Sequence, residues 1–261
     1  MYMADSSMSD LDKRSHPFRK KWGQNFLRDP NTINKIVNLL DPHGRDSILE
    51  IGPGEGALTS VITEKVKNTE VVEIDPLLVQ YLNKLDLQNV KIHQGDILDW
   101  NLDSLSDGIK VIGNLPYYIS SPILFKFLNK SNWERMIFMF QKELAERIVS
   151  KSGNKMYGRI SVMCQVFSDV KIEFLVSNKV FQPRPDVDSA VLSFYPKKDP
   201  LPDSKLFSDF IKQAFSQRRK KLKNNLSQLN IDGKIEKWAH LRPEAISPTE
   251  FIEIYNIIYL G

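Results

Sequence analysis

The residue types able to do chemistry gather most densely at Ile112-Gly113-Asn114-Leu115-Pro116-Tyr117-Tyr118, an apolar run ending in a polar turn. Pro116 has its φ fixed and pushes Leu115 out of the helical region, so the turn holds Asn114 and Tyr117 at a repeatable separation. An amide beside a phenol ring suits a flat heteroaromatic that carries an amino group. The amide oxygen accepts from the amine and the ring face stacks. A nucleobase is such an object. Taken alone, the turn also has a plainer reading, in which Asn114 closes it and Tyr117 packs in the core.

The elements that would position this turn are legible on either side of it. Asp29-Pro30 reads as a helix cap followed by proline at the first helical position, and Ile33, Ile36, Val37 and Leu40 supply one apolar face. Ser47 to Ile51 is a short buried strand that runs into Gly52-Pro53-Gly54-Glu55-Gly56 and an apolar-periodic helix from Ala57 to Val66. Strand, glycine turn and helix in that order make a nucleotide-binding turn, because glycines admit a ligand close to the backbone and the helix start offers free N–H groups. The next strand, Val71 to Asp75, ends in acid, where a ribose hydroxyl would bond; Glu73 is the candidate. The glycine spacing is G-x-G-x-G, not the dehydrogenases' G-x-G-x-x-G, and a nucleoside ligand without a pyrophosphate fits it better. That disfavours a nicotinamide dehydrogenase.

A helix from Pro76 to Leu85 and a strand from Val90 to Gln94 lead to Gly95-Asp96-Ile97. Asp96 is either a helix cap or a ligand contact. Four successive strands thus end in a polar signal at one edge, and in an open α/β sheet that edge binds ligands. Strands at 136–140, 170–176 and 190–195, with helices near 122–128, 143–149 and 160–167, complete an expected doubly wound sheet of about seven strands. Between the last two strands, Phe181-Gln182-Pro183-Arg184-Pro185 is a stiff loop in which Phe181 is either a core plug or a second aromatic face opposite Tyr117.

The chain has 261 residues and a net charge of +4, too modest to indicate nucleic acid by itself. The placement of charge says more. Residues 1–12 read as a disordered tail. From Lys13 to Arg28, basic residues interleave with His16, Phe18, Trp22 and Phe26, which suits either a phosphate backbone beside unstacked bases or a solvated basic arm over a small hydrophobic anchor. After Pro200-Leu201-Pro202 the pattern turns helical, marking an α/β domain at 13–198 and a helical domain at 199–261. The run Arg218-Arg219-Lys220-Lys221-Leu222-Lys223 is denser in cations than one solvated face requires and reads as a phosphate-binding helix. One cysteine, Cys164, excludes disulfides within the chain and cysteine-based metal cages, and no metal site is expected. No apolar run approaches the ~18 residues that span a membrane, and no apolar signal segment opens the chain, so a cytoplasmic location is expected.

Taken together, Gln24-Asn25-Phe26-Leu27, Glu50-Ile51-Gly52-Pro53-Gly54-Glu55-Gly56, Gly95-Asp96, Gly113-Asn114-Leu115-Pro116-Tyr117, Phe181-Gln182-Pro183-Arg184-Pro185 and Gln217-Arg218-Arg219-Lys220 resemble the ribosomal RNA adenine dimethyltransferases, most closely the bacterial small-subunit branch. The resemblance implies a Rossmann-like methyltransferase sheet with a small C-terminal helical domain that binds RNA, and S-adenosylmethionine as cofactor. By motif, Gln24, Asn25, Leu27, Gly52, Gly54 and Gly56 would line the cofactor, Glu73 with Ile74 would hold its ribose, and Asp96 with Ile97 its adenine. Asn114, Leu115 and Tyr117 would hold the target base, Asn114 also bordering the cofactor, with Phe181 stacking on the base. Arg218, Arg219, Lys220, Lys221 and Lys223 would meet RNA. Tyr118 stands where many relatives carry Asn. The implied partner is 16S rRNA within an immature small ribosomal subunit, met by a monomer. Two other readings share these motifs: a resistance-type methyltransferase acting on 23S rRNA, and an assembly factor that keeps the fold without turnover.

Overall fold

The computed structural model describes residues 24–85, 87–130, 132–198, 201–229, 231 and 233–261. The expected tail and the basic and aromatic arm from Lys13 to Trp22 lie outside the described residues.

Nine strands and ten α-helices follow one another among them: β1 (Phe26–Leu27), α1 (Pro30–Leu40), β2 (Ser47–Ile51), α2 (Ala57–Thr63), β3 (Asn68–Glu73), α3 (Pro76–Asn83), β4 (Val90–Gln94), β5 (Ile109–Asn114), α4 (Ser120–Leu128), β6 (Trp133–Gln141), α5 (Lys142–Ile148), α6 (Arg159–Phe167), β7 (Ser168–Val176), β8 (Phe181–Gln182), β9 (Ser189–Pro196), α7 (Ser204–Ala214), α8 (Leu222–Asn225), α9 (Glu236–Ala239) and α10 (Pro248–Tyr259). Side-chain caps set four of the ten helix starts among the described residues. The Asp29 side chain accepts from Thr32 N at 2.8 Å with Pro30 behind it, and Asp75 caps α3 ahead of Pro76 in the same way. Ser247 and Glu250 form a reciprocal capping box at α10.

The main sheet has seven strands in the order β4-β3-β2-β5-β6-β9-β7. Only β9 runs against the others, wedged antiparallel between β6 and β7. Strand order reverses between β2 and β5, so the carboxyl ends of those two strands form the crevice where such sheets bind ligands. The expected seven-stranded α/β sheet and the shared polar edge are therefore both present. Gly113 makes the β2/β5 contact possible. It pairs with Ile51, and a Cβ built on it would lie 2.8 Å from the Ile51 carbonyl oxygen and 2.9 Å from Leu115 Cδ2.

Three local readings differ from the sequence expectation. First, Phe26–Leu27 and Phe181–Gln182 form a separate two-stranded antiparallel sheet. Two-residue strands are too short for a period to show. Second, β3 ends at Glu73, and Asp75, read as part of the strand, caps α3 instead. Third, the basic run is not a helix. Arg218 to Lys221 occupy the turn between α7 and α8, and of the five cations only Lys223 sits on a helix. The reason is Asn225, whose buried Nδ2 donates to Ala214 O at 2.6 Å and Gln217 O at 3.2 Å, satisfying the carbonyls that would otherwise have continued α7.

The C-terminal helices pack through aromatic side chains onto α6. Phe207 meets Phe167 at 5.9 Å between ring centroids, Phe210 meets Phe251 at 6.2 Å, and the buried Tyr157 hydroxyl donates to Ile246 O at 2.9 Å. These residues belong to one buried cluster that continues beneath the sheet. Cys164 lies within that cluster, fully buried, with its thiol pushed up by burial, which makes it a small inert hydrophobe. No helix among the described residues is long and apolar enough to cross a membrane.

Candidate active site

At the carboxyl edge of β2, β3, β4 and β5 lies a cavity of about 360 Å³, inside the range of roughly 300–1,000 Å³ for small-molecule sites. Every cofactor or base residue expected from the sequence lines it except Phe181. Gln24, Asn25 and Leu27 come from the N-terminal segment, Gly52, Gly54 and Gly56 from the turn after β2, and Glu73 with Ile74 from the end of β3. Asp96 and Ile97 follow β4, and Asn114, Leu115 and Tyr117 follow β5.

Phe181 is 5% exposed, pairs with Leu27, and belongs to the buried cluster around Ile36, Val37 and Ile137. Of the two readings open in the sequence, this burial favours the core plug, and Phe181 is not among the residues that line the cavity. It holds β1, and so Gln24 and Asn25, against the sheet.

Backbone donors and buried acids shape the cavity floor. Glu73 accepts from Asp75 N at 2.9 Å and from Gly54 N at 3.2 Å, each oxygen taking one bond and keeping lone pairs for a ligand. Burial raises its carboxyl above the ordinary value and the Asp75 charge adds to the rise, the backbone donors of Asp75, Gly54 and Ile74 pulling the other way. Gly54 has φ +59°, and a Cβ there would sit 3.0 Å from the Phe26 ring, so the turn and the N-terminal segment close on each other only without a side chain. Arg28 and Glu55 form an ion pair of 2.5 Å between the same two segments.

Glu50, in β2, is fully buried and pushed up to about 8, first by burial, with Thr59 Oγ1 donating to it at 2.7 Å and the Glu73 charge adding to the rise. A raised acid costs no stability below its unfolded value of 4.5 and costs progressively more up to about 8. Glu50→Gln, which keeps the acceptor for Thr59, should therefore match the parent in urea unfolding near about pH 4 and exceed it by a few kcal/mol near about pH 8. Equal midpoints at the higher pH would show that Glu50 is not held neutral.

Asn114 donates through Nδ2 to Asn25 O at 3.0 Å, which turns its Oδ1 toward the role of acceptor. Tyr117 shares a hydrogen bond of 2.9 Å with Ser189 Oγ, and burial raises its phenol. Asp96 accepts from Leu98 N at 2.8 Å, so it caps a turn as well as lining the cavity. Gln24 Nε2 donates to the fully buried Asp75 at 2.9 Å. Tyr118 is 57% exposed and feels the Asp96 charge.

Asp75, Glu50, Arg28 and Ser189 were not singled out as site residues from sequence. Asp75 alone carried a local signal, the Asp-Pro cap. The five cations from Arg218 to Lys223 are all exposed and stand outside the cavity, and the Arg218 guanidinium donates to Lys155 O at 2.8 Å and Tyr157 O at 3.2 Å.

Comparison with known proteins agrees with this geometry. A family profile described as Ribosomal RNA adenine dimethylase matches residues 15–258. Among curated relatives, the Ribosomal RNA small subunit methyltransferase A of Nitrosospira multiformis is 40% identical over 255 residues, covering 92% of this chain and 96% of the relative. That of Prosthecochloris aestuarii is 43% identical over 245 residues, covering 92% and 94%. A solved dimethyladenosine transferase from Plasmodium falciparum has TM-score 0.75 at 23% identity, covering 88% of this chain and 95% of that one. The 23S rRNA methyltransferase ErmE has TM-score 0.67 at 23% identity, covering 90% and 99%. The last two show the fold.

A sheet of this order, with a glycine turn, a buried acid and an N-x-P-Y turn at its switch point, has the Rossmann-like fold, and the family match makes it a methyltransferase dependent on S-adenosylmethionine. The chain belongs to the ribosomal RNA adenine dimethylase family and is an rRNA adenine dimethyltransferase.

Proposed function

We propose that this enzyme dimethylates the exocyclic 6-amino groups of two adjacent adenosines in the 3′-terminal hairpin of 16S rRNA, within an immature small subunit, acting as a cytoplasmic monomer. The observation that carries the base-capture chemistry is the Asn114 Nδ2 bond to Asn25 O at 3.0 Å, which orients Oδ1 as an acceptor beside Tyr117. The choice of small-subunit RNA is supported by relatives near 40% identity that bear the small-subunit name.

S-adenosylmethionine, when bound, supplies an electrophilic methyl group on a sulfonium. Gln24, Asn25, Leu27 and the three glycines line its path, Glu73 with Ile74 takes the ribose hydroxyls, and Asp96 with Ile97 takes the adenine edge. The residues present fit that group. The Glu73 carboxylate keeps lone pairs beyond its two backbone bonds, and at Gly52, which lines the cavity, a Cβ would meet nothing within 4 Å, so the turn leaves open space there.

The target adenine must leave its stack to enter, and the Tyr117 face replaces the lost stacking. Its amine is a poor nucleophile because the lone pair is delocalised into the ring. Hydrogen bonds from its two protons to Asn114 Oδ1 and the Leu115 carbonyl draw the nitrogen toward tetrahedral geometry and aim the lone pair at the methyl. Positioning supplies the rate, with no strong base required. The methylated amine is acidic enough to lose its proton to water.

Residues 13–198 form the methyltransferase unit and 199–261 the RNA-binding unit. The exposed cations at 218–223 meet phosphate. Changing Arg219 and Lys220 to Ala should weaken RNA binding and reduce the slope of log affinity against log salt by about 2, one per lost phosphate contact. Arg218→Ala should reduce the slope by about 1 and also lower the melting temperature, because Arg218 ties the 155–157 segment. An unchanged salt slope would remove this turn from the interface.

The whole reading is tested by incubation with radiolabelled S-adenosylmethionine and small subunits lacking the modification, the product being mapped by mass spectrometry. Two dimethyladenosines in the 3′ hairpin are expected. Label confined to large-subunit RNA in a parallel reaction would overturn it.

A further inference from the structure

Tyr117 and Ser189 are 72 residues apart in the chain, yet the phenol oxygen and Ser189 Oγ lie 2.9 Å from each other. Ser189 is fully buried at the first position of β9. Its backbone is held on both sides, by Gln141 of β6 and Val176 of β7 as register partners. The residue before it is pinned as well: Lys142 N donates to Asp188 O at 3.0 Å, and Asn178 N donates to Asp188 Oδ1 at 2.9 Å. The hydroxyl is therefore a fixed point in the sheet, reached by a ring that starts two strands away at the end of β5.

A tyrosine side chain turns about two bonds, and a rigid partner at the far end of the ring removes most of that freedom. We infer that Ser189 is a positioning residue for base capture, setting the plane of the Tyr117 ring before the adenine arrives. This inference rests on the base-holding reading of Tyr117 given above. Without the serine hydroxyl the ring still lines the cavity but samples other tilts, and the base is held in a stackable pose for a smaller fraction of encounters. The benefit of such preorganisation appears in the chemical step, since the target amine must be aimed as well as bound. The loss of one neutral hydrogen bond, about 0.5–1.5 kcal/mol, corresponds to about tenfold in rate at its upper end.

A plain structural role would make Ser189 matter to stability and to every property alike. The two cases separate in a double-variant cycle. Ser189→Ala, Tyr117→Phe, the double variant and Tyr117→Ala are assayed for kcat and KM on small subunits lacking the modification, with S-adenosylmethionine affinity and melting temperature measured on the same preparations. Ser189→Ala and Tyr117→Phe should each lower kcat about tenfold, leave cofactor affinity within about twofold, and combine with no further loss, because both cut the same bond. Tyr117→Phe leaves β9 untouched, so a folding defect confined to Ser189→Ala does not remove the test. Losses that multiply in the double variant, or a Ser189→Ala kcat within about twofold of the parent, would overturn the inference. Full activity in Tyr117→Ala would overturn the base-holding reading and this inference with it. An inactive Tyr117→Ala beside a fully active Ser189→Ala would overturn the Ser189 role alone.

Discussion

Asn114→Ala is expected to abolish methyl transfer, lowering kcat by about 10³-fold, while S-adenosylmethionine affinity falls only a few-fold. The side-chain oxygen is the acceptor proposed for one proton of the target amine, an interaction that strengthens as the nitrogen becomes tetrahedral, so its loss falls on kcat. The side-chain nitrogen has a different task. It holds Asn25 O at 3.0 Å, and Asn25 lines the cavity as one of the residues proposed for the cofactor. Alanine removes both at once, and the small loss of cofactor affinity reports the second. Single-turnover rates and calorimetric cofactor binding on the same preparation separate the two effects. Equal losses in both would mean that Asn114 serves the N-terminal segment and not the base.

Glu73→Gln is expected to weaken S-adenosylmethionine binding by about 100-fold and to leave the melting temperature nearly unchanged. Two opposing effects keep stability level. The buried carboxyl is raised by desolvation, so in the folded state it costs stability above its ordinary value of 4.5, a cost that the neutral amide removes. Against this, the amide nitrogen cannot accept from both Gly54 N and Asp75 N, and one backbone donor loses its partner. Cofactor binding has no such compensation, because the ribose hydroxyls lose a charged double acceptor. Unchanged affinity would move the ribose site away from β3. A collapse of the melting temperature would make Glu73 a folding residue first.

Much of this protein was legible without its structure because the governing interactions are short-range. The apolar runs bounded by glycine and proline became the strands β2, β4 and β5 at the expected polar edge, and the Asp29-Pro30 pair became the cap of α1. The sterics of Pro116 and the hydrogen-bonding types of Asn114 and Tyr117 belong to the turn itself, so the class of ligand followed from residue identity. What required the tertiary structure was every feature whose partner is remote in the chain. Phe181 is a core residue because Leu27 pairs with it. The dense cations lie in a turn because Asn225, several residues further on, ends α7 from the side. Ser189 reaches Tyr117 only because β9 is inserted beside β6. A sequence determines which groups can bond and how the chain bends locally, through sterics and propensity; which distant group arrives as the partner depends on how the sheet is threaded, and that only the folded chain decides.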